Sequence, residues 1–190
     1  MKAAPTHKAE NSRLVAVRLL VFVALVGSAL TVMSPAASAA TVSDTFNRAD
    51  GDLGPDWTDI GEGGLAISNQ QLVGTSAGLS GDMRTAETYS SDQSSQIEIT
   101  STRLGGGRWV GPAVRVQDGG QDGYVGLYWW NNGDPVLMLF DRLNGDWTQL
   151  GSTYDCGALA AGTQLTLSVT GSDLTFSENG VVRIAARDTG

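Results

Sequence analysis

The side chains that could do chemistry in this chain are its carboxylates, tyrosines, tryptophans, arginines and one cysteine, Cys156. The only histidine, His7, and both lysines, Lys2 and Lys8, lie in the first forty residues, which read as a segment that is removed. Without an imidazole or an amine, a Ser-His-Asp triad, a histidine zinc site and a lysine Schiff base are all excluded from the remainder. A retaining glycosidase needs two carboxyls about 5 Å apart, and Asp141 with Glu98 is the sort of pair that distant segments could bring together. Asp118-Gly-Gly-Gln-Asp122-Gly123 begins like a calcium loop, but Trp129 stands where an EF-hand has its closing glutamate, so a plain hairpin turn competes with a calcium site at Asp118 and Asp122. Tyr124, Tyr128 and Trp130 alternate along one run and are candidates to stack on the C–H faces of sugar rings, with Arg115, Asn132 and Asp141 near enough in sequence to bond hydroxyls. Filling of a sheet interior is the other reading of the same three aromatics. Cys156, in Tyr-Asp-Cys-Gly, reads as a small buried hydrophobe, with an intermolecular disulfide as the alternative.

These residues must be positioned by strands. From Val110 to Arg142 three apolar or aromatic runs are separated by Asp118–Asp122 and Asn131–Asp134, a pattern of adjacent antiparallel strands that no helical period fits. With a side-chain period of two, Tyr124, Tyr128 and Trp130 share one face and Val125, Leu127 and Trp129 the other. The expectation is that the second face is core and the first is open. Further strands are expected at Val42–Phe46, Leu65–Ser68, Gln71–Thr75, Gln93–Leu104, Asp146–Tyr154, Gln164–Thr170, Leu174–Glu178 and Val181–Arg187. Asn144-Gly145 and Asn179-Gly180 mark two-residue hairpin turns, because both positions accept φ > 0. About a dozen short strands with tight connections predict an all-β, two-sheet antiparallel sandwich of the jelly-roll type.

Residues 1–40 carry Lys2, Lys8, Arg13 and Arg18, then the apolar run Leu19–Val32, then Ala37-Ser38-Ala39-Ala40, the order of a cleaved signal peptide. The run is shorter than the roughly 20 apolar residues of a membrane span. Residues 41–190 are then one secreted, extracellular domain. Loss of those four of the twelve basic residues and of Glu10 among the twenty acids leaves eight against nineteen, a net charge of −11. Such a surface repels nucleic acid and anionic membranes and leaves neutral ligands and cations open.

The opening stretch Asp44-Thr-Phe46-Asn-Arg48-Ala-Asp50-Gly51-Asp-Leu53-Gly54-Pro-Asp-Trp57 resembles the N-terminal signature of secreted bacterial domains of the concanavalin A-like lectin/glucanase superfamily, of the LamG-like kind. Ile67–Leu72, Gly111–Val116, Gly123-Tyr124, Leu143–Trp147 and Gly162–Leu167 extend the resemblance over nearly all of residues 41–190. It implies a two-sheet jelly roll whose concave face or rim loops often bind saccharides, sometimes with calcium. Glucanases of that superfamily carry Glu-x-Asp-x-Glu on one strand; here the matching strand reads Glu98-Ile-Thr100-Ser-Thr102, so a non-catalytic, lectin-like domain for poly- or oligosaccharides is expected. A glycoside hydrolase or polysaccharide lyase, and a structural or adhesion domain, are the rivals. Arg48, Asp50 and Trp57 are expected to be structural. In resembling domains a terminal Thr-Gly leads into a further strand beside the first. The chain as given stops at Thr189-Gly190, so the edge Val42–Phe46 is expected to lack a neighbour and to invite a strand-exchange dimer or a partner's strand.

Overall fold

A computed structural model describes residues 41–101 and 103–189, so the signal-peptide reading of residues 1–40 lies outside the described residues. The described part is all-β, with fourteen strands, β1–β14, and two one-turn 3-10 segments, Asp118–Gly120 and Asn131–Gly133. Two antiparallel sheets form a sandwich. One has the order β11 (Asp146–Asp155), β10 (Val136–Leu143), β9 (Asp122–Trp129), with β7 (Trp109–Val110) and β8 (Ala113–Gln117) both pairing on the free side of β9. The other has the order β14 (Val181–Arg187), β13 (Asp173–Glu178), β12 (Gln164–Thr170), β6 (Gln93–Glu98). Two small sheets complete the set: β1 (Gly51–Asp52) with β3 (Leu65–Ser68) and β4 (Gln71–Gly74), and β2 (Trp57–Gly61) with β5 (Ser80–Arg84).

The turns follow the sequence closely. Asn144-Gly145 and Asn179-Gly180 join β10 to β11 and β13 to β14 with positive φ at both residues, and Asn69-Gln70 does the same between β3 and β4. Positive φ at two consecutive positions gives a turn whose twist matches that of the strands it joins.

Packing of the two sheets buries Leu165, Leu167, Val169, Leu174, Phe176 and Ile184 from one side against Val114, Tyr128, Leu137 and Leu139 from the other. Register sets this arrangement. On β9 and β10, Tyr128 stands opposite Leu137, Gly126 opposite Leu139 and Tyr124 opposite Asp141, so all six share one face. Gly126 is the notch in that face: a Cβ there would lie 2.7 Å from the Phe176 ring. The face bearing Tyr124, Tyr128 and Trp130, expected to be open, is therefore the core face. Tyr128 is 0% exposed, and Tyr124 and Trp130 are half-buried against the core.

Val42–Phe46 is not a strand. The Asp44 carboxylate accepts a bond from the Phe46 amide at 2.8 Å and pairs with Arg48, and Phe46 itself has φ 52°. A local side-chain bond to the backbone competes with ladder formation. The β edge expected at this segment is therefore not formed. Arg48 also donates to the Leu53 carbonyl, Asp50 accepts from the Asn69 amide, and Trp57 packs beside Phe46 with ring centroids 5.8 Å apart. Strand β6 stops at Glu98, short of the expected Leu104. Gly111-Pro112 divides the run before residue 117 into β7 and β8, Pro112 lacking an N–H for the ladder, and only glycine fits at 111, where a Cβ would fall 1.6 Å from the Gly126 carbonyl.

Candidate functional site

The reversal of faces exposes a different set of aromatics. Alternation along β9 and β10 places Val125, Leu127, Trp129, Val136, Met138, Phe140 and Arg142 on the outer face of the five-stranded sheet. Pairing then adds Trp147 on β11, opposite Arg142, and Trp109 on β7, opposite Trp129. Trp147 is 38% exposed. Its ring meets Phe140 edge-on at 5.7 Å and Trp109 at 6.0 Å, with interplanar angles of 81° and 68°. Strands β7 and β11 are separated by β9 and β10, so the Trp109 and Trp147 side chains converge across two strands to make one patch. Strands lie about 4.8 Å apart, so these two side chains reach toward each other over β9 and β10 to bring their rings within 6.0 Å.

Arg142 backs this patch. Its guanidinium carbon lies 5.2 Å from the centre of the Trp147 ring, and Nη1 donates to the Gly120 carbonyl. Its Nε is buried without a hydrogen-bond partner, so the indole face is the electron-rich surface the cation leans on. At the other end, the Trp129 indole donates to the Gly107 carbonyl at 2.9 Å, and the Trp130 amide to the Arg108 carbonyl at 2.9 Å, which draws the 105–108 loop against the sheet.

Of the residues expected to bind ligand, Tyr124, Arg115 and Asp141 come together, but on the inner face of the five-stranded sheet: the Arg115 guanidinium carbon lies 5.9 Å from the centre of the Tyr124 ring and Asp141 stands opposite Tyr124; Tyr128 and Asn132 lie apart from them. Tyr128 is walled in, and its hydroxyl oxygen accepts from the Leu159 amide at 3.2 Å; desolvation raises its pKa. Tyr124 donates to Asp188 at 2.9 Å, between the sheets. Arg115, at φ 52° in an irregular part of β8, donates to the Ser91 and Gly171 carbonyls at 2.7 and 2.6 Å and so stitches one sheet to the edge of the other. Asn132 is exposed in the turn after β9, its amide bonded to the Gly106 carbonyl at 3.0 Å. Asp141 is on the inner face, where desolvation and then the charge of Asp188 raise its pKa.

Glu98 belongs to the other sheet and to its outward side, next to Gln164 and out of phase with inward-pointing Ile97. Asp141 and Glu98 therefore face away from each other's side of the sandwich and do not form the carboxyl pair that hydrolysis needs. Asp122 accepts from the Asn144 amide at 2.7 Å, the bond of a carboxylate tying two turns together, while Asp118 is exposed in its 3-10 turn. Among the described residues there is no group of three or more His, Cys, Asp or Glu able to hold a metal ion. Cys156 donates to the Pro135 and Gly157 carbonyls, and burial pushes its thiol up to about 11, away from thiolate reactivity.

No protein-family model and no curated protein matches this chain. Among solved structures it is similar to carbohydrate binding module CBM66 from Bacillus subtilis, with a TM-score of 0.51 and 18% identity over 71% of this chain and 81% of that one. The likeness is one of fold. It agrees with the two-sheet antiparallel sandwich described above and does not reach the choice of concanavalin A-like superfamily. Trp109, Phe140 and Trp147 were the aromatics that alternation did not single out. The signal available for them was the pair Phe140 and Trp147, which a two-residue turn at Asn144-Gly145 must place on one face of adjacent strands.

Proposed function

We propose that this chain is a secreted, non-catalytic carbohydrate-binding domain that holds an uncharged polysaccharide across Trp109 and Trp147. The observation that carries the reading is the patch of Trp109, Phe140 and Trp147 on the outer face of the five-stranded sheet, with Trp147 38% exposed and steadied by Arg142. Exposed aromatic rings bury the apolar C–H faces of sugars, and the polar rim supplies hydroxyl partners. Gln149 on β11 is such a rim residue; it is exposed on the same face, opposite Phe140.

Two further points support the reading. The structurally similar protein from Bacillus subtilis is itself a carbohydrate binding module. The acidic balance of the chain, twenty Asp and Glu against twelve Lys and Arg, opposes polyanions and favours neutral chains. Separation of Glu98 from Asp141 supports the non-catalytic part, and the charged, apolar, small order of residues 1–40 supports export.

Affinity electrophoresis in gels containing β-glucan, xylan, mannan or starch tests this. At least one polymer is expected to retard the wild-type protein and to release the Trp147→Ala variant, with no reducing sugar formed. If no polymer in the panel retards the wild type, or if Trp147→Ala is retarded as strongly, the reading fails.

A further inference from the structure

A second concavity lies on the side of the sandwich, between the β5–β6 connection (residues 85–92) and the end of β8. It is a shallow, open cleft of about 500 Å³ and shares no residue with the aromatic patch. Val116 is the one apolar aliphatic side chain in its lining; the rest are hydroxyls, amides, Glu87, Tyr89 and Arg115. Pockets of this size suit a small ligand of one to a few rings.

Tyr89 is 38% exposed, yet its position is fixed by a relay. Its hydroxyl donates to Glu87 at 3.2 Å, and Glu87 takes two bonds from Arg84, at 2.7 and 3.0 Å. Arg84 in turn lies over the Trp57 ring, 5.6 Å from its centre. The paired Arg84 hydrogen bond holds the Glu87 carboxyl below its ordinary range, so it stays an acceptor. The opposite wall is equally fixed: Gln93 accepts from the Arg115 amide at 2.8 Å and donates to the Ser90 carbonyl at 2.7 Å, while Arg115 is tied to Ser91 and Gly171. An exposed ring whose hydroxyl is bonded to a carboxylate that Arg84 anchors, beside a rigid hydroxyl-and-amide wall, is preorganised for a ligand with one apolar face and many hydroxyls. Glu87 disfavours phosphate or carboxylate groups, and the Arg115 guanidinium is already occupied by two carbonyls.

We propose that this cleft is a second saccharide-binding site, taking one or two rings of a neutral sugar with a ring stacked on Tyr89 and hydroxyls bonded to Glu87 and Gln117. This inference rests on the saccharide reading given above but uses a separate surface. Two sites on one domain would let it grip two chains, or two points of one chain, and raise retention without tightening either site.

The test is a titration of the purified, 15N-labelled protein with glucose, sucrose, maltose and cellobiose to millimolar concentration, followed by NMR. Saturable shifts of the amides of residues 85–93 and 115–117 with at least one sugar are expected. Tyr89→Ala should weaken that response about tenfold or more, the loss of a stacked ring, and Tyr89→Phe, which keeps the ring but loses the bond to Glu87, by less. The indole N–H signals of Trp109 and Trp147 report the aromatic patch independently. Cleft amides that stay silent with every sugar, or shifts that survive Tyr89→Ala unchanged, overturn the second site whatever the indoles do. Silent indoles beside responding cleft amides leave this site standing, with the aromatic patch then judged by its polymer test alone.

Discussion

The two outer faces of this sandwich are both built from antiparallel strands and differ in chemistry. On the four-stranded sheet, Ser94 pairs with Ser168 at 3.0 Å, Thr166 with Gln96 at 3.0 Å, and Glu98 stands opposite Gln164. Polar side chains there satisfy one another and water. On the five-stranded sheet, the equivalent positions hold Trp109, Met138, Phe140 and Trp147. The four-stranded sheet exposes apolar side chains only at its edge, where Val181 and Val182 of β14 are each 52% exposed, and no aromatic ring lies among them. A cluster of three rings on one outer face, with Trp147 exposed and Trp109 and Phe140 half-buried around it, marks a surface that meets something.

The largest effect expected concerns which face of β9 is core. Tyr128→Ala removes a ring that is 0% exposed together with the hydroxyl that accepts from Leu159. Truncation of a buried aromatic costs about 3–5 kcal/mol. Trp147→Ala, 38% exposed, should cost about 1 kcal/mol or less in chemical unfolding. Equal losses in the two variants would make the aromatic patch a second core surface and remove the contrast between the faces.

Next in size is binding. Trp147→Ala should lose about 1–3 kcal/mol of polymer affinity, measured by calorimetry with whichever polysaccharide retards the wild type. Arg142→Leu should lose less, because Arg142 only backs the ring from 5.2 Å. A larger loss from Arg142→Leu than from Trp147→Ala would transfer the recognition role to the cation.

What could be read from the sequence was what short-range chemistry decides. Asn-Gly pairs specify turns by themselves, and β12 and β14 fall at Gln164–Thr170 and Val181–Arg187 as expected. The choice of face on β9 was not legible, because Tyr124/Tyr128 and Val125/Leu127 are both apolar enough to be inside. Gly126 decided it by admitting Phe176 from a strand fifty residues later, a contact that no local pattern records. Ser80–Arg84 pairs with Trp57–Gly61 although Ser-Gly-Asp-Met-Arg has no strand signature. Val42–Phe46 looks like a strand by composition, and the Asp44 carboxylate diverts it.

A third prediction concerns pH and separates stability from binding. Asp82 on β5 faces Asp59 on β2, accepts from the Leu65 amide, and has its pKa raised by desolvation and then by Asp59 and Asp52. A carboxyl whose folded pKa is raised binds protons more tightly folded than unfolded, so the domain loses stability as pH rises from the unfolded value through the folded one. Asp82→Asn keeps an acceptor for Leu65 and gains a donor for Asp59. The variant should melt above wild type at pH 7, with the gap closing as pH falls toward the ordinary carboxylate range. Polymer binding at Trp147 should not follow that curve, since Trp109, Phe140 and Trp147 do not titrate. Affinity that tracks the melting temperature would mean the patch depends on the small sheet.

The smallest effect expected is on the polar face, and it is the control that gives the others meaning. Thr166 is half-buried on β12, and its hydroxyl bonds the Gln96 side chain at 3.0 Å on a solvent-facing strand pair. Thr166→Val deletes that bond but keeps the shape and the β-branch, so the strand preference is conserved. A hydrogen bond between neutral side chains at an exposed site exchanges readily for bonds to water, and Gln96 can turn outward to find them. The net change should stay within about 0.5 kcal/mol in urea unfolding, with no change in polymer affinity. A loss of affinity in Thr166→Val matching that of Trp147→Ala would place ligand on the hydroxyl ladder, and the contrast between the two outer faces would then point the opposite way.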